Sequence, residues 1–244
     1  MIRLARLDPD APEAFPPPGH ALDDPNGLLA FGGDLSPQRL LAAYAQGIFP
    51  WYSHGDPLLW WSPDPRCVFR TDGVHVARRL ARTLRHSAWT LSMDRAFLEV
   101  MHACAAPRSY ESGTWITPEM IAAYARLHEL GHAHSLEVWD GGELVGGIYG
   151  VAIGRAFSAE SMFSRADNAS KAALLALCRA LRAWGFPLLD AQVPNPHLLG
   201  LGAVELPRAE YLRTLRTLAR QPGPAAWRLP FARAAELVRT DASS

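Results

Sequence analysis

The sequence predicts an α/β (α+β) chain in which a small N-terminal α+β domain precedes a mixed sheet flanked by helices. Three observations carry that expectation. The hydrophobic period changes from 3.6 to 2 after Gly131. The two-fold segments are separated by Asp140-Gly141-Gly142 and Gly154-Arg155, which are turn sequences. Beyond them a helix, a short buried strand and a further helix follow in order, a pattern that covers a sheet on its faces. At 244 residues the chain is sized for one or two domains. We divide it into residues 1–70 and 71–244.

Residues 12 to 33 are rich in Pro and Gly and predict loop with short extended pieces. Ser36-Pro37 starts a helix, with Ser as cap and Pro in the first helical position, and Gly47 stops it. Residues 48 to 66 place Trp51, Tyr52, Trp60 and Trp61 among prolines, which excludes helix. A helix rich in arginine is expected over 74–87. A second helix is expected after Asp94 as its cap, with Phe97, Val100, Met101 and Cys104 on one face. Thr117-Pro118 opens a third, closed by Gly131. Strands are expected over His134 to Trp139, Leu144 to Ile153 and Ala156 to Phe163. Asp167 or Asn168 caps a helix with Leu174, Leu177, Cys178 and Leu181 inward, ending at Gly185. Leu188 to Val193 is a short buried strand, and Pro207 starts a last helix with Leu212, Leu215 and Leu218 inward.

Composition excludes several classes. Hydrophobic residues are 49% and charged residues 20%, so the chain is neither disordered nor fibrous. The 24 basic residues balance 24 acidic ones, which excludes a globally basic nucleic-acid coat. Lys171 is the only lysine; an arginine excess of this kind is what a GC-rich genome produces, and arginine also suits phosphate. Three cysteines without CxxC spacing give no disulfide framework and no cysteine zinc site. No leader-like or membrane-spanning apolar run is present, so a cytoplasmic protein without membrane contact is expected.

Four patterns bear on chemistry. His128-Glu129-Leu130-Gly131-His132 matches the H-E-x-x-H zinc motif. It is read as a coincidence, because Gly131 ends the helix before His132 can join the same face. A zinc metallopeptidase using His128, Glu129 and His132 is kept as the alternative function. In Leu188-Leu189-Asp190-Ala191-Gln192-Val193, alternation puts Asp190 and Gln192 on one face. An Asp inside an apolar strand is costly unless it is paired or used. The same alternation groups Glu160 with Met162 and sets Phe163 opposite. Finally, Arg78, Arg82 and Arg85, with Arg79 alongside, share a helical face in a stretch without acids, a local positive patch suited to phosphates.

Longer stretches resemble a known family. They include Phe31-Gly32-Gly33-Asp34-Leu35-Ser36, Gly47-Ile48-Phe49-Pro50-Trp51, Trp60-Trp61-Ser62-Pro63-Asp64-Pro65-Arg66 and Gly113-Thr114-Trp115-Ile116-Thr117. Leu127 to Ser135, Leu144 to Gly150, Glu160-Ser161-Met162-Phe163-Ser164, Asn168-Ala169-Ser170-Lys171 and Asp190-Ala191-Gln192 continue the series in order. Together they resemble the leucyl/phenylalanyl-tRNA–protein transferases, from about residue 15 to 215. Ala191, Gly200, Ser158 and Ala159 depart from the usual family residues.

The resemblance implies transfer of Leu or Phe from tRNA to the α-amine of proteins that begin with Arg or Lys, marking them for degradation. It implies a GNAT-type acyltransferase fold for the second domain. It implies no cofactor and no metal, since an aminoacyl ester is already activated, and the protein is expected to act as a monomer. Asp190 and Gln192 are then the catalytic pair, with Gln192 orienting the amine and Asp190 holding Gln192 or acting as a base. Substrate shape assigns the rest: Trp51, Trp115, Met162 and Phe163 to the aminoacyl pocket, Glu160 to the acceptor's cation, and Arg78, Arg79, Arg82 and Arg85 to the tRNA.

Overall fold

The computed structural model describes residues 4–106 and 115–238. A small sheet comes first, from β1 (Ala5–Leu7), β2 (Leu28–Gly32), β3 (Phe49–Pro50) and β4 (Leu59–Trp61), in the order β1-β2-β4-β3. Helix α1 (Pro37–Ala45) lies between β2 and β3. Its start follows the sequence signal: Ser36 Oγ accepts the Arg39 N–H and Pro37 is the first helical residue. Gly47 ends the turn at φ +74°, and a Cβ there would meet Leu212 Cδ2 at 2.5 Å.

The larger sheet contains β5 (Arg66–Arg70), β6 (Thr90–Met93), β7 (Ala133–Asp140), β8 (Glu143–Ile153), β9 (Ala156–Ser164), β10 (Leu188–Gln192) and β11 (Val204–Leu206). Their order is β11-β5-β10-β9-β8-β7-β6. The β9–β10 pair is parallel and its other neighbouring pairs are antiparallel, so the sheet is mixed. The helices are α2 (Arg78–His86), α3 (Phe97–Ala105), α4 (Pro118–Glu129), α5 (Ala169–Ala183), α6 (Pro196–Gly200) and α7 (Arg208–Leu218). On one face α5 and α2 bury Leu174, Leu177, Leu181, Leu80 and Leu84 against the strands. On the other, α3 and α4 share a core with the first sheet, through Phe97, Val100, Tyr124, Leu40, Tyr44 and Trp60. The two sections therefore pack as one body around a common core. No helix among the described residues is long and apolar enough to cross a membrane.

Four local expectations are corrected. Strand β5 sits between β10 and β11, so the larger sheet begins before residue 71 and a division at residue 70 leaves one of its strands in the first section. The arginine helix starts at Arg78, not at 74. Asp94 does not cap α3. It takes φ +58° and its carboxylate accepts the Ser135 N–H at 2.9 Å, while Glu137 faces the Arg95 and Ala96 N–H groups at 3.4 Å. Asn168 occupies the position before α5 without a side-chain cap bond; Ser164 Oγ accepts the Ser170 N–H instead.

Candidate active site

Strands β9 and β10 pair only at Leu189↔Phe157 and Asp190↔Ser158, and then diverge. A cleft of about 870 Å³ opens where the ladder stops, walled by Trp115, Met162, Phe163, Leu174, Leu189 and Ala191. A second cavity of about 300 Å³ adjoins it beside Phe49, Trp51 and Gln192. Glu160 borders both.

Two bulges aim the polar side chains. Tyr149 faces Ser161 and Gly150 faces Ala159, so Glu160 is the extra residue in β9. The insertion reverses the alternation. Met162 packs on the α5 side, whereas Phe163 packs on the opposite side, where Glu160 meets Tyr124. The expected grouping of Glu160 with Met162 therefore fails. In β10, Asp190 faces Val68 but Gln192 faces Cys67, and Gln192 takes φ +63°. Despite this second bulge, Leu189 and Ala191 pack on the α5 side while Asp190 meets Tyr211 and Gln192 meets Glu160 on the other, as the alternation predicts. Their link runs through the backbone: Asp190 Oδ1 accepts the Gln192 N–H at 2.9 Å.

Asp190 is 2% exposed and fully committed. Arg66 donates from Nε to Oδ1 at 2.8 Å and from Nη2 to Oδ2 at 2.7 Å. Tyr211 and Ser158 donate to Oδ2 at 2.8 and 3.1 Å. With the Gln192 N–H that makes five donors on one carboxylate, about as many as its lone pairs can serve. Asp190 thus has no lone pair left for a substrate proton, and its geometry is that of a brace.

Glu160 is the carboxylate that reaches the cleft. Its Oε1 accepts Gln192 Nε2 at 2.7 Å and its Oε2 accepts the Tyr124 hydroxyl at 3.3 Å. Tyr124 in turn shares a short hydrogen bond with Tyr44. Burial, with the nearby charge of Asp190 adding, pushes the Glu160 carboxyl up to about 7 against the stabilising donors Tyr44, Tyr124 and Gln192. An ionised Glu160 can only accept, so the Gln192 amide donates its NH₂ there and keeps its carbonyl oxygen free to accept from another group.

The other predicted residues lie at varied depths. Trp51 is 41% exposed beside Trp61, with ring centroids 5.5 Å apart, while Trp115 and Met162 are half-buried and Phe163 is buried. Arg78, Arg79, Arg82 and Arg85 are all exposed on α2, which is seated by Leu80 and Leu84. Thr83 of this helix meets Asn168 at 3.5 Å, next to Ser164, Arg165 and Ser170 of the cleft rim, so the arginine row borders the site. In the zinc-like motif α4 ends at Glu129 and Gly131 turns at φ +78°, so His128 and His132 do not share a helical face. His128 stacks on Phe97 and Glu129 pairs with Arg126 at 2.7 Å. Among the described residues no group of three or more His, Cys, Asp and Glu could hold a metal ion.

Arg66, Tyr211, Tyr124 and Tyr44 escape sequence reading. Arg66 did carry a signal, the same one as Asp190: a charge entering an apolar run, Arg66-Cys67-Val68-Phe69. The tyrosines carried none, because a tyrosine among aliphatic residues on a helix face looks like ordinary core.

Residues 68–216 match the family model "Leucyl/phenylalanyl-tRNA protein transferase", and residues 33–64 match the N-terminal domain of the same family. A leucyl/phenylalanyl-tRNA–protein transferase of Xanthomonas oryzae pv. oryzae is 59% identical over 238 residues, covering 96% of this chain and 95% of that protein. That of Xanthomonas euvesicatoria pv. vesicatoria is 61% identical over 91% of this chain and 89% of its own. Among solved structures, a GCN5-related N-acetyltransferase from Kribbella flavida aligns at TM-score 0.38 and 12% identity, over 69% of this chain and 60% of that one. With a family model matched over more than half its length and relatives this similar end to end, the chain belongs to the leucyl/phenylalanyl-tRNA–protein transferase family, whose members are aminoacyltransferases.

Proposed function

We propose that this protein moves Leu or Phe from aminoacyl-tRNA to the α-amine of proteins whose first residue is Arg or Lys, and so marks them for degradation. The observation that carries the reading is the Gln192–Glu160 pair at the border of two cavities, one large and apolar-walled, one small and lined with aromatics. The larger cavity suits the Leu or Phe side chain, whose full burial is worth about 1.5–3 kcal/mol. Met162 lines it and adapts to either shape. Trp51 and Trp115 flank the smaller cavity, where the acceptor end of the tRNA meets the peptide.

The chemistry asks little of a base. An α-amine titrates near 7.7–8.0, so roughly a tenth to a fifth is neutral near pH 7. The free carbonyl oxygen of Gln192 accepts an N–H of that amine and aims its lone pair at the ester carbon. The C–N bond forms, the bond to the ribose oxygen breaks, and the proton shed by nitrogen ends on that oxygen. Holding the two reactants in attack geometry supplies as much as roughly 7–11 kcal/mol. Glu160, at the border of both cavities, attracts the acceptor's cationic terminus in its ionised form. The exposed arginines of α2 hold the phosphates of the acceptor stem.

Incubation with labelled Phe-tRNA and peptides beginning with Arg, Lys or Ala tests this. Label is expected on the α-amine of the first two; none on any peptide would end the reading. The pH dependence carries a second signature. Ionised Glu160 is the binding form and its carboxyl titrates at about 7. The preference for the Arg peptide over the Ala peptide is therefore expected above pH 7, and to fade as pH falls through it. Amine titration is common to both peptides and cancels in the ratio.

A further inference from the structure

Gln192 is held at both ends. Its backbone N–H is fixed by Asp190, itself gripped by the Arg66 fork and by Tyr211 of α7. Its side-chain amide is fixed by Glu160, itself gripped by Tyr124 of α4, which bonds to Tyr44 of α1. Between the two grips the residue takes φ +63°, a conformation costing about 1–3 kcal/mol that persists only where the surroundings impose it. Arg66 also donates from Nη1 to the Gly47 carbonyl at 3.1 Å, which ties the brace to the first sheet section. A strained glutamine held by two buried carboxylates, one at its backbone and one at its amide, is more than packing requires.

We infer that Tyr211 and Tyr124 are positioning residues for aminoacyl transfer, acting through Asp190 and Glu160 to fix the backbone and the amide of Gln192. Neither hydroxyl is required to touch substrate. Each is one of the donors that orient a carboxylate while that carboxylate holds one end of Gln192. The inference rests on the transfer reading above for its rate effects, but the clamp itself is a property of the free protein.

Tyr211→Phe and Tyr124→Phe remove one oxygen each and leave the rings in place, so the packing survives. Each is expected to lower the single-turnover rate at saturating Phe-tRNA and Arg-starting peptide by about 10-fold, with the Kd for Phe-tRNA within about two-fold of the parent. Adding Tyr211→Phe to Gln192→Ala is expected to slow transfer no further, because the residue being positioned is gone. An equal slowing in both backgrounds would overturn the inference. Hydrogen exchange of the Gln192 N–H reads the clamp without any activity. It is expected to quicken several-fold in Tyr211→Phe, and unchanged exchange would also overturn the inference. If the parent protein makes no product, the transfer reading fails while the exchange result still decides the clamp.

Discussion

Asp190→Ala is expected to cost about 3–5 kcal/mol of folding stability, quite apart from any loss of activity. Arg66 is 1% exposed and its fork has Asp190 as its ionic partner. Deleting the carboxylate strands a buried guanidinium and also orphans the Tyr211 and Ser158 hydroxyls. Buried donors left unmade forfeit their full desolvation penalty, which is why one truncation here outweighs most core substitutions. Asp190→Asn keeps the shape and one acceptor oxygen, and is expected to fall between Ala and the parent. Urea unfolding of the three proteins checks the order. A loss below about 1 kcal/mol for Asp190→Ala would mean that Arg66 finds solvent or another partner, contrary to its position between β10 and α7.

Changing Arg78, Arg79, Arg82 and Arg85 together to Gln is expected to weaken tRNA binding more than about 10-fold at physiological salt. The slope of log affinity against log salt should flatten by about one for each phosphate that is no longer neutralised. The ion pair of Arg79 with Asp167, at 3.5 Å between side chains 82% and 92% exposed, contributes little and leaves that arginine available. Leu80 and Leu84 still seat α2, so the fold should not respond. Filter binding across a salt series measures this, and an unchanged slope would move the phosphate-binding surface elsewhere on the molecule. Zero net charge is compatible with the expected result, because the arginines are gathered on one helix while Glu160 and Asp190 lie in the sheet.

What the sequence made legible follows from the range over which each feature is encoded. Helix α1 with its Ser36 cap, α4 with Thr117-Pro118, and strands β7, β8 and β9 are local patterns, and they appear within a residue or two of expectation. The arginine row was legible because a helix repeats at 3.6 whatever surrounds it. The polar centre was legible only in part. Asp190, Gln192 and Glu160 stood out as charge or amide in apolar strands, and the common face of Asp190 and Gln192 followed from alternation, but the face of Glu160 was not legible, because its bulge depends on the partner strand. Arg66 lies 124 residues from Asp190, and only the pairing of β5 with β10 brings them together. The short elements β6, β11 and α6 lack a full period of their own and are stabilised by neighbours distant in sequence.

The new bond is expected to form at Gln192, in the gap between β9 and β10, and single-turnover transfer by Gln192→Ala tests this most directly. With Phe-tRNA and an Arg-starting peptide both saturating, the rate is expected to fall about 100-fold, while the Kd for Phe-tRNA and the unfolding midpoint stay close to the parent values. A variant that transfers at the parent rate would contradict the account and place the chemistry elsewhere on the molecule.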